Sequence, residues 1–392
     1  MIGTIAQRQP EAEQDILHFV RLCLRARWEP EALEAARRLA TQTQLDWSAL
    51  LRVAEEERLG PLLYRAVRRH NLVPPAVAEA LRASRFTSAV RDRLLRRELS
   101  TILDRLSAQG VDVLLLKGAA LVQTVYGGAG LRPMGDLDLL VRQANVRPAL
   151  RVLTEHGYRR VGAEVRPDAD LAYESQLMLA KAGPVHFVVE VHWSLFDVPY
   201  YQRVLPMAWF WQTTLAIQIG NSPARVLGPE AQILHLCGHL VVQHGDAPAR
   251  LLWLHDVAEV LVHYRDQIDW EALLNRAQEF DLVLSVQRVV GQVADQWAAP
   301  VPAGALSQLS ALRPSATEVQ ITNWRTADHR PVVQRFWSDL ASMGGWRQRL
   351  HYAWIQLFPS VTYMQSRYRI RHQLLVPLYY PYRWWLGLRG VL

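Results

Sequence analysis

Two aspartates, Asp136 and Asp138, stand two residues apart in the segment Gly-Asp-Leu-Asp-Leu-Leu-Val. In a strand, residues two apart project from the same face, so this spacing puts both carboxylates on one side and Leu137 and Leu139 on the other, toward the core. Carboxylates held side by side repel, and each resists ionisation unless a cation joins them. Mg²⁺ takes such oxygen ligands together with phosphate oxygens and water. An isolated Asp-x-Asp is also the pattern of a solvent-facing strand edge, so its neighbours in the chain decide its meaning.

Two neighbours matter. Upstream, Leu-Leu-Leu-Lys-Gly-Ala-Ala-Leu reads as a strand that passes through Lys117 and Gly118 into a helix. A glycine there lets backbone approach a phosphate, and a helix N-terminus offers free N–H donors and the positive end of a dipole. Downstream, Phe-Val-Val-Glu-Val-His-Trp-Ser places Glu190 inside an apolar strand, where a carboxylate is costly to bury unless it is paired or binds metal. The order is a phosphate cradle, two metal ligands and a third acid, which is the order that two-metal phosphoryl transfer needs. Lys117 is placed to reach a phosphate or to end its strand in water. Arg132 is placed to clamp a phosphate bidentately or to form a loop salt bridge. His192 shares a strand face with Glu190 and could orient that acid or an acceptor hydroxyl.

The segments Lys-Gly-Ala-Ala-Leu, Tyr-Gly-Gly-Ala-Gly-Leu-Arg-Pro-Met-Gly-Asp-Leu-Asp-Leu-Leu-Val and Val-Glu-Val-His-Trp resemble the nucleotidyltransferase superfamily, in its large uncharacterised bacterial branch. The resemblance extends to flanking helices and covers most of the chain from about residue 45 onward. It implies Mg²⁺-dependent transfer of a nucleoside monophosphate from an NTP to an acceptor, with release of pyrophosphate. It assigns Asp136, Asp138 and Glu190 as catalytic and metal-binding residues for two Mg²⁺ ions. Lys117, Gly118, Ala119, Arg132 and Gly135 become the nucleotide-binding set. Ala119 departs from the Gly-Ser or Gly-Gly usual in the superfamily and removes a hydroxyl contact to phosphate. The acceptor is not implied; a small molecule or a peptide or protein hydroxyl fits. The rival readings are a catalytically silent binding or scaffold protein and a nucleic-acid-modifying member.

The elements that must position these residues form an α+β protein, a small mixed sheet embedded in N- and C-terminal helical segments. Residues 1–108 read as helices with apolar residues at three- and four-residue spacing. Among them Asp46 is placed to cap a helix running on to His70, and Pro74-Pro75 breaks the run. Residues 109–226 carry the α/β core, with strands expected at 111–116, 135–141, 173–180 and 185–195, and with Gly183-Pro184 turning between the last two. Residues 227–299 return to helix, and 300–392 read as a proline-marked linker followed by a basic aromatic region. Asp-Trp-x-Ala-Leu-Leu occurs at Asp46 and, with Glu for Ser, as Asp-Trp-Glu-Ala-Leu-Leu at Asp269, the mark of two similar capped helices. His235 and His239 stand one helical turn apart, a spacing that can bind zinc, but no His-Glu-x-x-His arrangement surrounds them. These histidines read as packing and capping groups, or His239 or His244 as an accessory group on a lid over the nucleotide, and Arg250 and Asp256 as a local ion pair.

Composition bounds the rest. Half of the 392 residues are apolar and 21% are charged, as in folded globular proteins. Two cysteines, Cys23 and Cys237, exclude a disulfide scaffold or a multi-cysteine zinc module. The N-terminal segment carries acids early and lacks a secretory apolar core, and no uncharged apolar run reaches the ~18 residues of a membrane span. The expectation is a cytoplasmic protein. The net charge of +7 invites a nucleic-acid partner, yet seven arginines after Asp339, with no acid among them, account for all of it. That localisation disfavours nucleic acid and points first to aromatics packed on the helical domain with the arginines in water, and otherwise to a contact surface for a membrane or a protein. Pro377 and Pro381 are expected to break any long helix there.

Overall fold

Left-handed residues and prolines set the helix boundaries in the computed structural model, which describes residues 11–127, 130–167, 169–245, 251–326 and 332–389. Five helices come first: α1 (Glu11–Arg25), α2 (Glu31–Gln42), α3 (Trp47–Glu56), α4 (Gly60–Val67) and α5 (Pro75–Ser107). The Asp46 carboxylate caps α3 by accepting from the N–H groups of Ser48 (2.9 Å) and Ala49 (3.1 Å). The expected continuous helix to His70 is instead two. Arg58 adopts φ +56°, which a helix cannot contain, and Pro61 fits the first turn of the next helix. Pro75 likewise opens α5 in its first turn.

The core comprises β1 (Leu114–Leu115), α6 (Lys117–Thr124), β2 (Leu137–Leu140), α7 (Val146–Glu155), β3 (Arg159–Arg160), α8 (Ala169–Tyr173), β4 (Gln176–Lys181), β5 (Phe187–His192), α9 (Pro199–Val204), α10 (Met207–Gln212), β6 (Thr214–Ile219) and β7 (Ser222–Leu227). The strands form one mixed sheet in the order β3-β4-β5-β2-β1-β7-β6. β2 lies parallel to β5, with Asp138 opposite Glu190 and Leu140 opposite His192. β1 is antiparallel to β2 and parallel to β7. The β6–β7 hairpin has no counterpart in the sequence reading. Its signal was Gly220-Asn221 between two short runs, with Gly220 at φ +62° as a tight hairpin turn requires.

The sheet divides two cores. Leu137, Leu139, Val189 and Val191 pack on one face with Leu99, Ile102 and Leu103 of α5 and Val146 and Ala149 of α7. Leu114, Leu116 and Leu140 join the other core. That core is built from the first four helices and from α11 (Pro229–Gly238), α12 (Leu251–His263), α13 (Trp270–Glu279) and α14 (Val283–Trp297). Asp269 caps α13 through Ala272 N–H (2.9 Å), the counterpart of Asp46. Asp281, at φ +54°, separates α13 from α14.

The proline-marked stretch is not a linker. It folds as α15 (Ala303–Ala311) and α16 (Ala316–Thr326), with Pro302 at the N-cap of α15 and Pro314 just ahead of α16, positions where a missing N–H costs nothing. α17 (Val332–Ser342), α18 (Trp346–Leu357), α19 (Val361–Tyr368) and α20 (Val376–Leu388) complete the chain. α20 also corrects the expectation of a break. Pro377 lies in its first turn and Pro381 inside it, leaving only the Pro377 carbonyl without its N–H partner. Among the described residues no helix is long and apolar enough to cross a membrane.

Candidate active site

β2 and β5 carry the acids on the sheet face opposite α5 and α7, because Asp138, Glu190 and His192 alternate with residues committed to that core. Leu116 follows β1 at the N-cap of α6, its N–H held by the Asp138 carbonyl at 3.0 Å. The chain then turns through Lys117 at φ +44°, an uncommon conformation for a non-glycine residue. This turn brings Lys117 Nζ within 2.8 Å of Asp138 Oδ1 and 3.8 Å of Glu190 Oε2. His192 Nε2 lies 3.0 Å from Asp138 Oδ1 and 3.5 Å from Glu190 Oε2. Gln176, at the start of β4, donates to Glu190 Oε2 at 3.1 Å. The sequence reading missed Gln176, which becomes visible only once β4 pairs with β5.

The electrostatics follow from burial. Burial alone would push the Asp138 carboxyl up; Lys117 and His192 outweigh it and hold it well below the usual carboxylate range. Burial disfavours the Lys117 ammonium, yet Asp138 and Glu190 raise its pKa. Asp136 goes the other way. Burial, then Asp138 and Glu190, raise its pKa, and Lys117 and Arg132 only partly offset them. The site therefore holds one ionised acid that is fully countered and one that is crowded.

Single ligand atoms of Asp138, Glu190 and His192 all lie within 4.8 Å of one another. His192 Nδ1 is buried without a hydrogen-bond partner. This donor set, with the crowded Asp136 beside it, fits a divalent cation: the carboxylate oxygens suit Mg²⁺, and the imidazole suits first-row transition ions as well. It is the one such group among the described residues, so His235 and His239 do not form a zinc site.

A cavity of about 390 Å³ opens over these residues. Lys117, Gly118, Arg132, Gly135, Asp136, Asp138 and Glu190 line it together with His239 and His244. Its far wall is a π-helical turn, His239–Gln243, and the start of α12. π-turns often occur at functional sites, but nothing in local sequence announces them. The His239 ring meets His244 edge-on at 4.6 Å, and His244 lies against Trp253 at 4.6 Å. Burial, then Lys117, pushes His239 well below its ordinary value, so it is neutral. A larger cavity of about 650 Å³, between α17, α18 and α20, has mainly aromatic and aliphatic walls and holds none of the metal-capable group.

Three of the expected nucleotide-binding residues make other contacts in this structure. Arg132 is committed to Asp256: its Nε and Nη2 donate to Oδ1 and Oδ2 at 2.9 and 2.7 Å. Tyr126 Oη adds a third bond to Asp256 at 2.8 Å. This pair, nine-tenths buried or more, stands in place of a free phosphate clamp; the expected Arg250–Asp256 pair involves Arg250, which lies outside the described residues. Gly118 makes room for that guanidinium. A Cβ there would stand 2.3 Å from Arg132 Nη1. Ala119 is turned into the core beneath the sheet rather than into the cavity. Gly135 remains at the rim, where its carbonyl accepts from Arg91 at 3.1 Å.

Residues 43–297, from just before α3 to the end of α14, match the family described as uncharacterised nucleotidyltransferase. Among solved structures, an antigenic nucleotidyltransferase-like protein from Paracoccidioides brasiliensis is similar at 14% identity and a TM-score of 0.36, over 55% of this chain and 96% of that one. No curated protein matches the chain. The family match spans well over half of the chain and contains every residue of the acidic cavity, and the chain belongs to the uncharacterised nucleotidyltransferase family.

Proposed function

We propose that this protein transfers a nucleoside monophosphate from an NTP to a hydroxyl acceptor, a small molecule or a peptide or protein side chain, and releases pyrophosphate. The observation that carries the reading is the convergence of Asp136, Asp138 and Glu190 on one cavity beside a lysine. Asp136, Asp138 and Glu190 would hold Mg²⁺, two ions by analogy with the superfamily. When bound, the metal would neutralise charge on the phosphates and on the leaving group. The acceptor oxygen attacks the α-phosphorus, the α–β bridging P–O bond breaks, and its electron pair leaves with pyrophosphate. Glu190 takes the acceptor's proton, with Gln176 and His192 fixing its orientation. Lys117 keeps Asp138 and Glu190 charged and in place. Neutral His239 and the His244–Trp253 stack line the opposite wall, where an acceptor or base would rest.

One observation favours a second reading, a binding protein without turnover. The Lys117 ammonium already counters two of the carboxylates, as a metal would. Incubation with each labelled NTP, Mg²⁺ and a metabolite extract, followed by mass spectrometry for a monophosphate adduct, separates the two. Asp136→Asn should abolish any adduct. It should leave the metal-free melting temperature unchanged or higher, because it relieves crowding. Full activity in that variant would refute the mechanism. The two buried, unpaired cysteines fit a reducing, cytoplasmic setting for this chemistry.

A further inference from the structure

We infer that the C-terminal helices form a docking surface for an anionic phospholipid bilayer. The inference is independent of the nucleotidyl-transfer reading. α20 has two stripes. Val376, Arg383 and Gly387 are buried on one side. On the other, Leu378, Tyr382, Trp385 and Leu388 follow at spacings of four, three and three, and are 72%, 48%, 46% and 75% exposed; Leu374, one turn earlier, is 85% exposed. The inward stripe already satisfies packing, so the outward stripe is left over. α18 repeats the pattern, with Tyr352 and Ile355 buried and Trp346, Leu350 and Trp354 more than half exposed. The Trp384 indole N–H donates to the Leu357 carbonyl at 2.8 Å and ties the two helices together.

Such apolar stripes are costly in water and usually mark an interaction surface. Their composition points to a bilayer. Trp, Tyr and Leu suit the headgroup–acyl boundary, and the helix is far too short to span. Arginines complement anionic headgroups: seven follow Asp339 and no acid does, all but the buried Arg383 are exposed, and Arg389 stacks on Trp385 at 3.9 Å. A second copy is a poor occupant, since a self-complementary contact through α18 and α20 would set arginine against arginine with no acid on either helix to pair them.

Flotation of the full-length protein with phosphatidylglycerol vesicles and with phosphatidylcholine vesicles tests this. Binding is expected to phosphatidylglycerol only and to weaken as salt rises. Leu378→Ser with Leu388→Ser should lower partitioning at least about tenfold, at an unchanged melting temperature. Arg347→Gln and Arg371→Gln, both at exposed positions, should each lower it about fivefold. They provide the test if the leucine variant proves unstable. No flotation at low salt, equal binding to phosphatidylcholine, or full binding by the arginine variants overturns the proposal. So does a concentration-dependent dimer in sedimentation that the leucine substitutions abolish, which would make the surface an interface between copies.

Discussion

Replacing Lys117 with methionine removes a buried cation while keeping most of the side chain's volume. The Lys117 side chain is 15% exposed and those of Asp138 and Glu190 are 3% and 11% exposed, so solvent screens the cluster little. Breaking a buried pair by deleting one partner costs about 3–5 kcal/mol, because the other charge is left uncompensated. At roughly 2 °C per kcal/mol, a low figure suited to a large chain, the metal-free variant should melt several degrees lower at pH 7. The pH dependence identifies the cause. Asp138 is held below its unfolded value, so its stabilisation is full above about pH 4 and is lost as pH falls. Lys117 is held above its own, so its share is full below about pH 10 and is lost at higher pH. The gap between wild type and variant should therefore be wide from about pH 5 to 9 and begin to shrink as pH falls below about 4. Mg²⁺ should raise the variant's melting temperature more than the wild type's, since the ion then supplies the missing charge. A variant that melts with the wild type at pH 7, or a gap that persists undiminished at pH 3, would refute the reasoning.

Glu190→Gln preserves shape and the Gln176 contact but removes charge; adduct formation should fall at least ~100-fold, and a loss under threefold would make Glu190 structural. Gly118→Ala places a Cβ against the Arg132 guanidinium; overpacking of about 1–3 kcal/mol outweighs the gain in helix propensity, and a melting temperature at or above wild type would overturn the packing assignment. His235 is buried with neither ring nitrogen partnered, and burial, then Lys117 and His192, pushes its pKa down to about 3. The unfolded chain takes up a proton near pH ~6.5 that the folded one refuses, so stability falls as pH drops from there toward 3. Calorimetry of His235→Leu should show that slope reduced by about 1.4 kcal/mol per pH unit.

Alternation made the face of β2 legible: Leu137 and Leu139 lie in the core as their spacing requires. The strands around Glu190, the Gly183-Pro184 turn and the Asp46 and Asp269 caps were legible for similar reasons, since each is set by residues a few positions apart. What stayed hidden depends on distance. Asp256 takes Arg132 from 124 positions away, and no local rule distinguishes that from a free arginine. β7 completes the sheet beside β1 across more than a hundred residues of intervening chain. The helix breaks at Arg58 and Asp281 fall on residues whose left-handed backbone no glycine announced. The π-turn that forms the cavity's far wall has no sequence mark at all.

The first helices close on the far side of the chain. The Trp28 indole N–H donates to the Trp297 carbonyl at 3.0 Å, and Arg27 and Arg65 both pair with the fully buried Glu259. Phe19, Val20 and Leu22 share a core with Val290, Val293 and Trp297. During synthesis α1 therefore leaves the ribosome long before its partner exists. At about 5–20 residues per second, the wait for α14 lasts roughly 15–50 s. Through that interval α1 packs only with α2, α3 and α4, and the part of its apolar face that meets α14 has no native cover. A shorter chain holding only the family-matched segment, 43–297, would lack α1 and α2 altogether. It would display the complementary groove on α14 permanently, and should aggregate where the full chain does not.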